Sequence, residues 1–470
     1  MSKKSLIHKP FNRRRFLKLA AATGASASLA RFAPNVAYAQ TGIQVADGAM
    51  NPLNMAENVQ GEGVFFSGGF GHEYIQYAAD IFAEVHPGST MSVEGIQRIG
   101  ERLRPRIIAG DLPDVIDNSG AGNLDTAALV AEGELADLGP LLAAPSLDTP
   151  GKTLGETLFP GSQADGVFDG VQRYLNIAFT VFGVWYSKSL FAEKGWEYPQ
   201  TWDDMMNLSE NIKAEGIAPW TYQGKFPQYM IFGLLEPLVE KSGGAEVWKA
   251  IDNLEPEAWR HPAMVDGLTK LKALYDNDYI MDGTEGLTHT ESQAEWLQGK
   301  AAFIPSGTWL ENEMRTVTPE GFDMVIAPVP ADDAAKFTWT NGNAGEPFMV
   351  FENAPNPVAG MEFLRCLLSK HSAKWFAQNV GSIMPVTDGA EGVELSSAMT
   401  SALDVVSAAG DNILDRPSFS TWYSDINEEA KNSMGALLTG RIEVEEFIDR
   451  VQEVANDVAE DEDIPKYTRN

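Results

Sequence analysis

Cysteine is nearly absent: Cys366 is the only one in 470 residues, so no intrachain disulfide can staple the fold and buried apolar surface must do that work. Basic residues are scarce too, with 35 Lys and Arg against 66 Asp and Glu. Eight of those bases (Lys3, Lys4, Lys9, Arg13, Arg14, Arg15, Lys18 and Arg31) lie in residues 1–39, which hold no acid. Residues 40–470 therefore carry 27 bases against 66 acids, formally −39. A field of that sign repels phosphate backbones and anionic membrane surfaces, which argues against nucleic-acid partners. Beyond residue 39 no apolar run reaches the roughly 18 residues of a membrane-spanning helix, so a soluble protein is expected. The histidines, His289 among them, show no metal-ligand spacing, and no metal or cofactor is expected.

What is present begins with an export address. Asn12-Arg13-Arg14-Arg15-Phe16-Leu17-Lys18 follows the twin-arginine pattern. A weakly apolar stretch runs from Leu19 to Ala33, too short and polar to stay in a bilayer, and Ala37-Tyr38-Ala39 offers a small-x-small cleavage site. The expectation is a twin-arginine signal peptide over residues 1–39 and a working chain from Gln40. A cysteine at that point would signal lipid attachment; glutamine there leaves the chain unanchored.

The remaining residues exceed what one hydrophobic core usually serves, so two domains are expected. Gly63-Val64-Phe65-Phe66-Ser67 reads as a buried strand, followed by the turn Gly68-Gly69-Phe70-Gly71 and a helix from about His72 to Val85. A strand over Thr90 to Ile96, a helix through Ile99, Leu103 and Ile107, and a strand from Asp111 to Asp117 follow. Alternating strands and helices predict an α/β fold with an open, mostly parallel sheet, whose ligands gather beyond the carboxyl ends of the strands. Near the C-terminus, Ile442, Val444, Phe447, Ile448, Val451, Val454 and Val458 share one helical face. Cys366 sits in a helical apolar run and reads as a small core residue.

Several ordered segments resemble the family 1 extracellular solute-binding proteins of ABC sugar importers, above all the branch for N-acetylglucosamine and chitobiose. They are Gly183-Val184-Trp185-Tyr186-Ser187-Lys188 with Glu193-Lys194-Gly195-Trp196; Thr201-Trp202-Asp203; Gly216-Ile217-Ala218-Pro219-Trp220-Thr221-Tyr222-Gln223-Gly224-Lys225; Trp296-Leu297-Gln298-Gly299-Lys300; Ala327-Pro328-Val329-Pro330; and Gly381-Ser382-Ile383-Met384-Pro385-Val386. The resemblance implies a two-lobed periplasmic-binding-protein fold of type II, each lobe a mostly parallel sheet flanked by helices. It places crossings near Phe179-Thr180, Phe348 and Asp404: lobe 1 as residues 40–179 with 348–404, lobe 2 as 180–347 with 405–470. It implies a monomeric periplasmic receptor that closes over a mono- or oligosaccharide and docks on a membrane permease, and no enzyme. A secreted glycosidase working through paired carboxylates, or a receptor for another cargo such as a peptide, is the alternative.

A sugar ring presents a flat C–H face and a hydroxyl rim, so aromatic plates and polar partners are the candidates. Trp309, after Gly307-Thr308 at a strand end, is expected to face the cleft, with packing as the plain alternative. Trp422 matches the position of an aromatic contact in related sugar receptors. Of Trp220, Tyr222, Phe226 and Tyr229, one or two are expected to line the site and the rest to pack the lobe. The polar candidates are Glu73, which could instead serve as a first-turn helix acid, Asn118 at a strand end, and Asn343 and Glu346 before the second crossing, where turn chemistry competes for the asparagine.

Overall fold

Seven residues, Gln60–Phe66, form β1, and their composition follows from their place. Parallel neighbours flank the strand on both edges and helices cover it, so Gly61, Gly63, Val64 and Phe65 are all buried. The computed structural model describes residues 41–469, except residues 121, 160, 161, 411 and 415 and the side chains of residues 343 and 344. The leader expected over residues 1–39 lies outside the described residues.

The neighbours of β1 are β2 (Thr90–Ile96) and β3 (Val115–Asp117). The helix Glu73–Val85 links β1 to β2 and buries Ile75, Ala78, Ile81 and Phe82. β3 is shorter than its apolar pattern predicts because Pro113 has no N–H to give a ladder and Asp114 turns its carboxylate to the amides of Glu62 and Asn356 (2.8 and 2.6 Å). A small hairpin, β4 (Val167–Phe168) and β5 (Val171–Gln172), precedes the 13-residue β6 (Leu175–Ser187). Then come β7 (Ala218–Trp220), β8 (Ala301–Gly307), β9 (Met324–Ala327) and β10 (Asn341–Val350).

All strands but the hairpin join one sheet in the order β2-β1-β3-β10-β6-β8-β7, with β9 also on β6. The β1–β2, β1–β3 and β7–β8 pairs are parallel, whereas β6 and β10 run antiparallel to each other and to every other neighbour. The sheet is thus mixed and not mostly parallel. Strands shared by two lobes carry the chain across in opposite directions, which sets their antiparallel pairing.

Residues Phe348 to Val350 of β10 pair with β3, and β6 meets β8 and β9 only from Phe182 onward. Between these contacts residues 178–181 of β6 and 342–345 of β10 pair with each other as a two-stranded ribbon joining the lobes. Phe179 and Thr180 fall in this ribbon, but Phe348 already sits opposite Asp117 in the first lobe's sheet. Asp404 lies inside the helix Ser397–Ala409, which packs Ala398, Ala402 and Val405 on Trp185 and Ile304 of the second lobe. A lobe boundary at 404 would cut that helix, whose Ala398, Ala402 and Val405 share a buried cluster with Ile383 as well as with Trp185 and Ile304.

Phe65 anchors the first core, with Phe348 and Phe363 rings 5.7 and 5.6 Å away. Cys366, in the helix Pro357–Leu367, is buried there. The C-terminal helix runs Val444–Glu460 and buries Phe447, Ile448, Val451 and Val458, the face that the spacing predicts.

One ion pair lies wholly inside the first lobe. Arg365 and Glu362 are both 0% exposed, joined by bonds of 2.8 and 2.6 Å to one carboxylate oxygen, with His86 3.4 Å away. Burial pushes the Glu362 pKa up, but His86 and Arg365 outweigh it and hold the group below its usual value. Arg365→Met strands a buried carboxylate and is expected to cost about 3–5 kcal/mol by urea unfolding. The Glu362→Gln/Arg365→Met double variant should recover part of that loss, and a cost no smaller than that of the single variant would show that packing, not the charge, is responsible.

Candidate functional site

Beside the ribbon lies a cavity of about 260 Å³. The first lobe contributes Phe66, Gly69 and Gly120; the second contributes Phe226, Gln228, Tyr229, Phe232, His289, Trp309 and Glu313; the ribbon's end contributes Glu346. Both lobes and the connection between them therefore form its wall.

Local sequence explains each plate. Phe66 closes β1, and its ring lies on glycines: a Cβ at Gly68 or at Gly120 would stand 2.2 Å from it. Gly120 also has φ +79°, a conformation that side chains resist. Trp309 follows β8 and folds back over Gly307, where a Cβ would meet the indole at 2.3 Å. The indole stands edge-on to Phe182, Tyr229 and Phe232, with centroids 5.5, 6.0 and 6.3 Å apart, and its Nε1 is buried without a hydrogen-bond partner. Tyr229 and Phe232 lie where the helical segment from Gln228 to Gly243 passes through a π turn, Ile231–Leu235. Such turns free a backbone carbonyl; here the Phe232 carbonyl accepts from Asn341 Nδ2 of β10 (3.1 Å), which also donates to Glu236 (3.0 Å).

The polar lining is acidic. Glu313 accepts from Gln293 (2.7 Å) and pairs with His289 (3.4 Å), whose pKa it raises. Glu346 is half-buried and adopts φ +61°, a left-handed conformation uncommon outside glycine. Behind it Asp117, the last residue of β3, is 0% exposed and accepts the Ser119 hydroxyl at Oδ1. Burial first, and then the Glu346 charge, push the Asp117 carboxyl well above the carboxylate range. Among the described residues no Lys or Arg lines this cavity.

Of the residues singled out in sequence, the structure brings Trp309, Phe226, Tyr229 and Glu346 to the cavity. It does not bring the others. Trp220 is core, its ring tilted against Phe303 at 4.9 Å and its indole N–H donating to Ser209. Tyr222 is buried and lines a separate groove on the second lobe with Tyr275 and Arg441. Trp422 is buried 5.5 Å from Tyr467 because the C-terminal segment folds back, the Tyr467 amide donating to the Tyr423 hydroxyl (3.1 Å). Asn118 is 0% exposed and consumed internally: its Nδ2 donates to the Leu124 carbonyl (3.1 Å) and its Oδ1 accepts the Leu124 amide (2.8 Å). Glu73 is exposed in the first turn of its helix, where its own amide and that of His72 hold its pKa down. The Asn343 side chain lies outside the described residues.

Sequence reasoning missed Phe66, Phe232, His289 and Glu313. The available signals were the glycines after Phe66, the spacing of Phe232 three residues after Tyr229, and that of Glu313 four after Trp309.

Two α/β lobes on a shared sheet, with a ligand-sized cavity at their connection, define a solute-binding protein. Residues 71–374 match the sequence profile of bacterial extracellular solute-binding proteins. The diacetylchitobiose binding protein NgcE of Streptomyces coelicolor is 31% identical over 424 residues, 89% of this chain and 89% of its own. Among solved structures, a chitin oligosaccharide binding protein matches with a TM-score of 0.66 at 23% identity, over 82% of this chain and 94% of its own. RafE in complex with raffinose matches at 0.67 and 18% identity, over 85% and 99%. These two likenesses bear on the fold alone. The chain belongs to the bacterial extracellular solute-binding protein family; it is a binding protein and not an enzyme. Among the described residues no cluster of three or more His, Cys, Asp or Glu could hold a metal ion, and no helix is long and apolar enough to cross a membrane.

Glu236, which holds Asn341 at the hinge, has its pKa pushed up to about 7 by burial, against the pull of Arg416. A carboxyl whose folded pKa exceeds its unfolded value stabilises the fold while protonated, and that contribution is lost as pH rises through the folded pKa. Between about pH 5 and about pH 8 the wild type should therefore lose about 2–3 kcal/mol relative to Glu236→Gln, read as urea midpoints at each pH. Parallel pH profiles of the two proteins would refute this.

Proposed function

We propose that this chain is the receptor of an ABC importer and captures N-acetylglucosamine or a chitobiose-like dimer in the interlobe cavity. The observation that carries the reading is the wall of that cavity: Trp309, Tyr229, Phe232, Phe226 and Phe66 supply flat apolar faces, while Glu346, Glu313 and His289 supply polar partners at the rim. That is what the two surfaces of a pyranose ring require. The name of the relative NgcE, which specifies diacetylchitobiose, supports the choice of sugar.

In this reading the ribbon acts as a hinge. A sugar that touches both lobes stabilises the closed form, and that form docks, as a monomer, on the membrane permease. The leader over residues 1–39 sends the folded chain to the periplasm by the twin-arginine route, and Gln40 leaves it without a lipid anchor.

Thermal-shift screening against N-acetylglucosamine, chitobiose, maltose and xylobiose tests the cargo, since a ligand at 100 times its Kd adds about 2.7 kcal/mol to the native state. Stabilisation by maltose or xylobiose alone would reassign the sugar, and by none of the four would remove it. Trp309→Ala should weaken sugar binding by about 1–3 kcal/mol in calorimetry. Trp422→Ala should leave the affinity unchanged and lower stability by about 3–5 kcal/mol, because it empties core volume. Small-angle scattering should show compaction with bound sugar; an unchanged radius would count against hinge closure.

A further inference from the structure

Behind the cavity wall lies a buried carboxyl that the proposed sugar binding does not use. Asp117 ends β3, and its backbone partner on β10 is Phe348, two residues beyond Glu346. Asp117 is 0% exposed, its Oδ1 takes the Ser119 hydroxyl, and its Oδ2 is buried without a hydrogen-bond partner. The Glu346 carboxyl faces it from the cavity lining.

The groups around this pair supply no positive charge. Tyr74, from the helix Glu73–Val85, is a buried phenol that feels both carboxyls and is held neutral by burial. Glu313 adds further negative charge beside Glu346. Among the described residues that line the cavity His289 is the one base, and it is already paired with Glu313. Two carboxylates in such a place cannot both ionise near neutral pH, so one proton stays between them. Asp117, fully buried, is its better host; Glu346, open to the cavity, remains the acceptor.

We propose that Asp117 works as a neutral carboxylic acid whose Oδ2–H donates to Glu346 and so holds the Glu346 carboxylate in place to accept hydroxyl hydrogens of the bound sugar. Asp117 is thus a positioning residue: it touches no ligand, and its effect reaches the ligand through Glu346. The inference rests on the sugar-receptor reading for the ligand and on the buried Asp117 beside Glu346 for the proton.

Two consequences separate this role from a merely structural one. An amide mimics a neutral acid, because its Nδ2 donates to Glu346 while its Oδ1 still accepts from Ser119. In addition, stripping the proton sets two carboxylates against each other, so ligand affinity falls as pH rises, and an amide has no such proton to lose.

The test is calorimetry with chitobiose on wild type, Asp117→Asn and Asp117→Ala between about pH 6 and about pH 9. Glu236, whose pKa burial raises to about 7, and Lys241, whose pKa burial lowers to about 7, titrate in this range in all three proteins, so the readout is the difference between them. The expected result is a loss of about tenfold or more in wild-type affinity across the range, a nearly flat profile for Asp117→Asn, and a loss of about tenfold at neutral pH for Asp117→Ala that Asp117→Asn does not share. A flat wild-type profile, or an equal loss in both variants, overturns the proposal. The infrared difference spectrum, unliganded wild type minus Asp117→Asn, should hold a protonated-carboxyl band at neutral pH, since the Glu236 contribution is common to both proteins and cancels. This band needs no sugar. Its absence sinks the shared proton, whereas its presence in a protein that binds no chitobiose sinks the proposed cargo alone.

Discussion

The backbone pairing of β6 with β10 is the constraint on which the rest of this molecule depends. Only β6 and β10 of the sheet are present between Gly345 and Gly342, so the lobes are joined there by a ribbon, while broader sheets extend on either side. The same strands pass beside the site: Glu346 leaves the pairing with a left-handed backbone, and Phe182 carries the edge of the Trp309 ring. Any change in the angle between the lobes is therefore felt by the residues that line the cavity.

A second set of contacts ties this ribbon to the second lobe. Asn341 reaches both the Phe232 carbonyl and Glu236, and Arg416 approaches Glu236 at 3.9 Å while its guanidinium lies 5.1 Å from the Phe182 ring. Three chain segments distant in sequence thus meet in one buried polar cluster. Such clusters are costly when left unsatisfied, so they favour a small number of discrete arrangements over a continuum. A hinge built this way suits a receptor that must be either open or closed.

Much of the architecture was legible in sequence because it rests on local periodicity. β2 spans the residues its pattern gives, and the C-terminal amphipathic face buries where it should. The mixed sheet direction was not legible, since antiparallel pairing of β6 and β10 is a property of two strands some 160 residues apart. The site was legible in part for the same reason. Trp309 sits just past the end of β8, where exposure follows from local position, but the burial of Trp422 depends on Tyr467 returning from the far end of the chain. Asn118 shows the limit of residue-type reasoning: a polar side chain at a strand's carboxyl end is equally suited to bind a ligand or to brace its own loop, and here it braces the loop.

The π turn at Ile231–Leu235 has a consequence for how the binding wall is phased. A π turn holds one residue more than α-helical winding needs, and so offsets everything before it from everything after it by about one residue, roughly 100° around the axis. Tyr229 lies before that offset and Phe232 within it, whereas Leu238 and Val239, which pack in the core, lie after it. One surplus residue lets a single helical segment keep its later turns in register with the core while its first turns address the cavity. Removing that residue would set the two demands, packing and recognition, in conflict along one element.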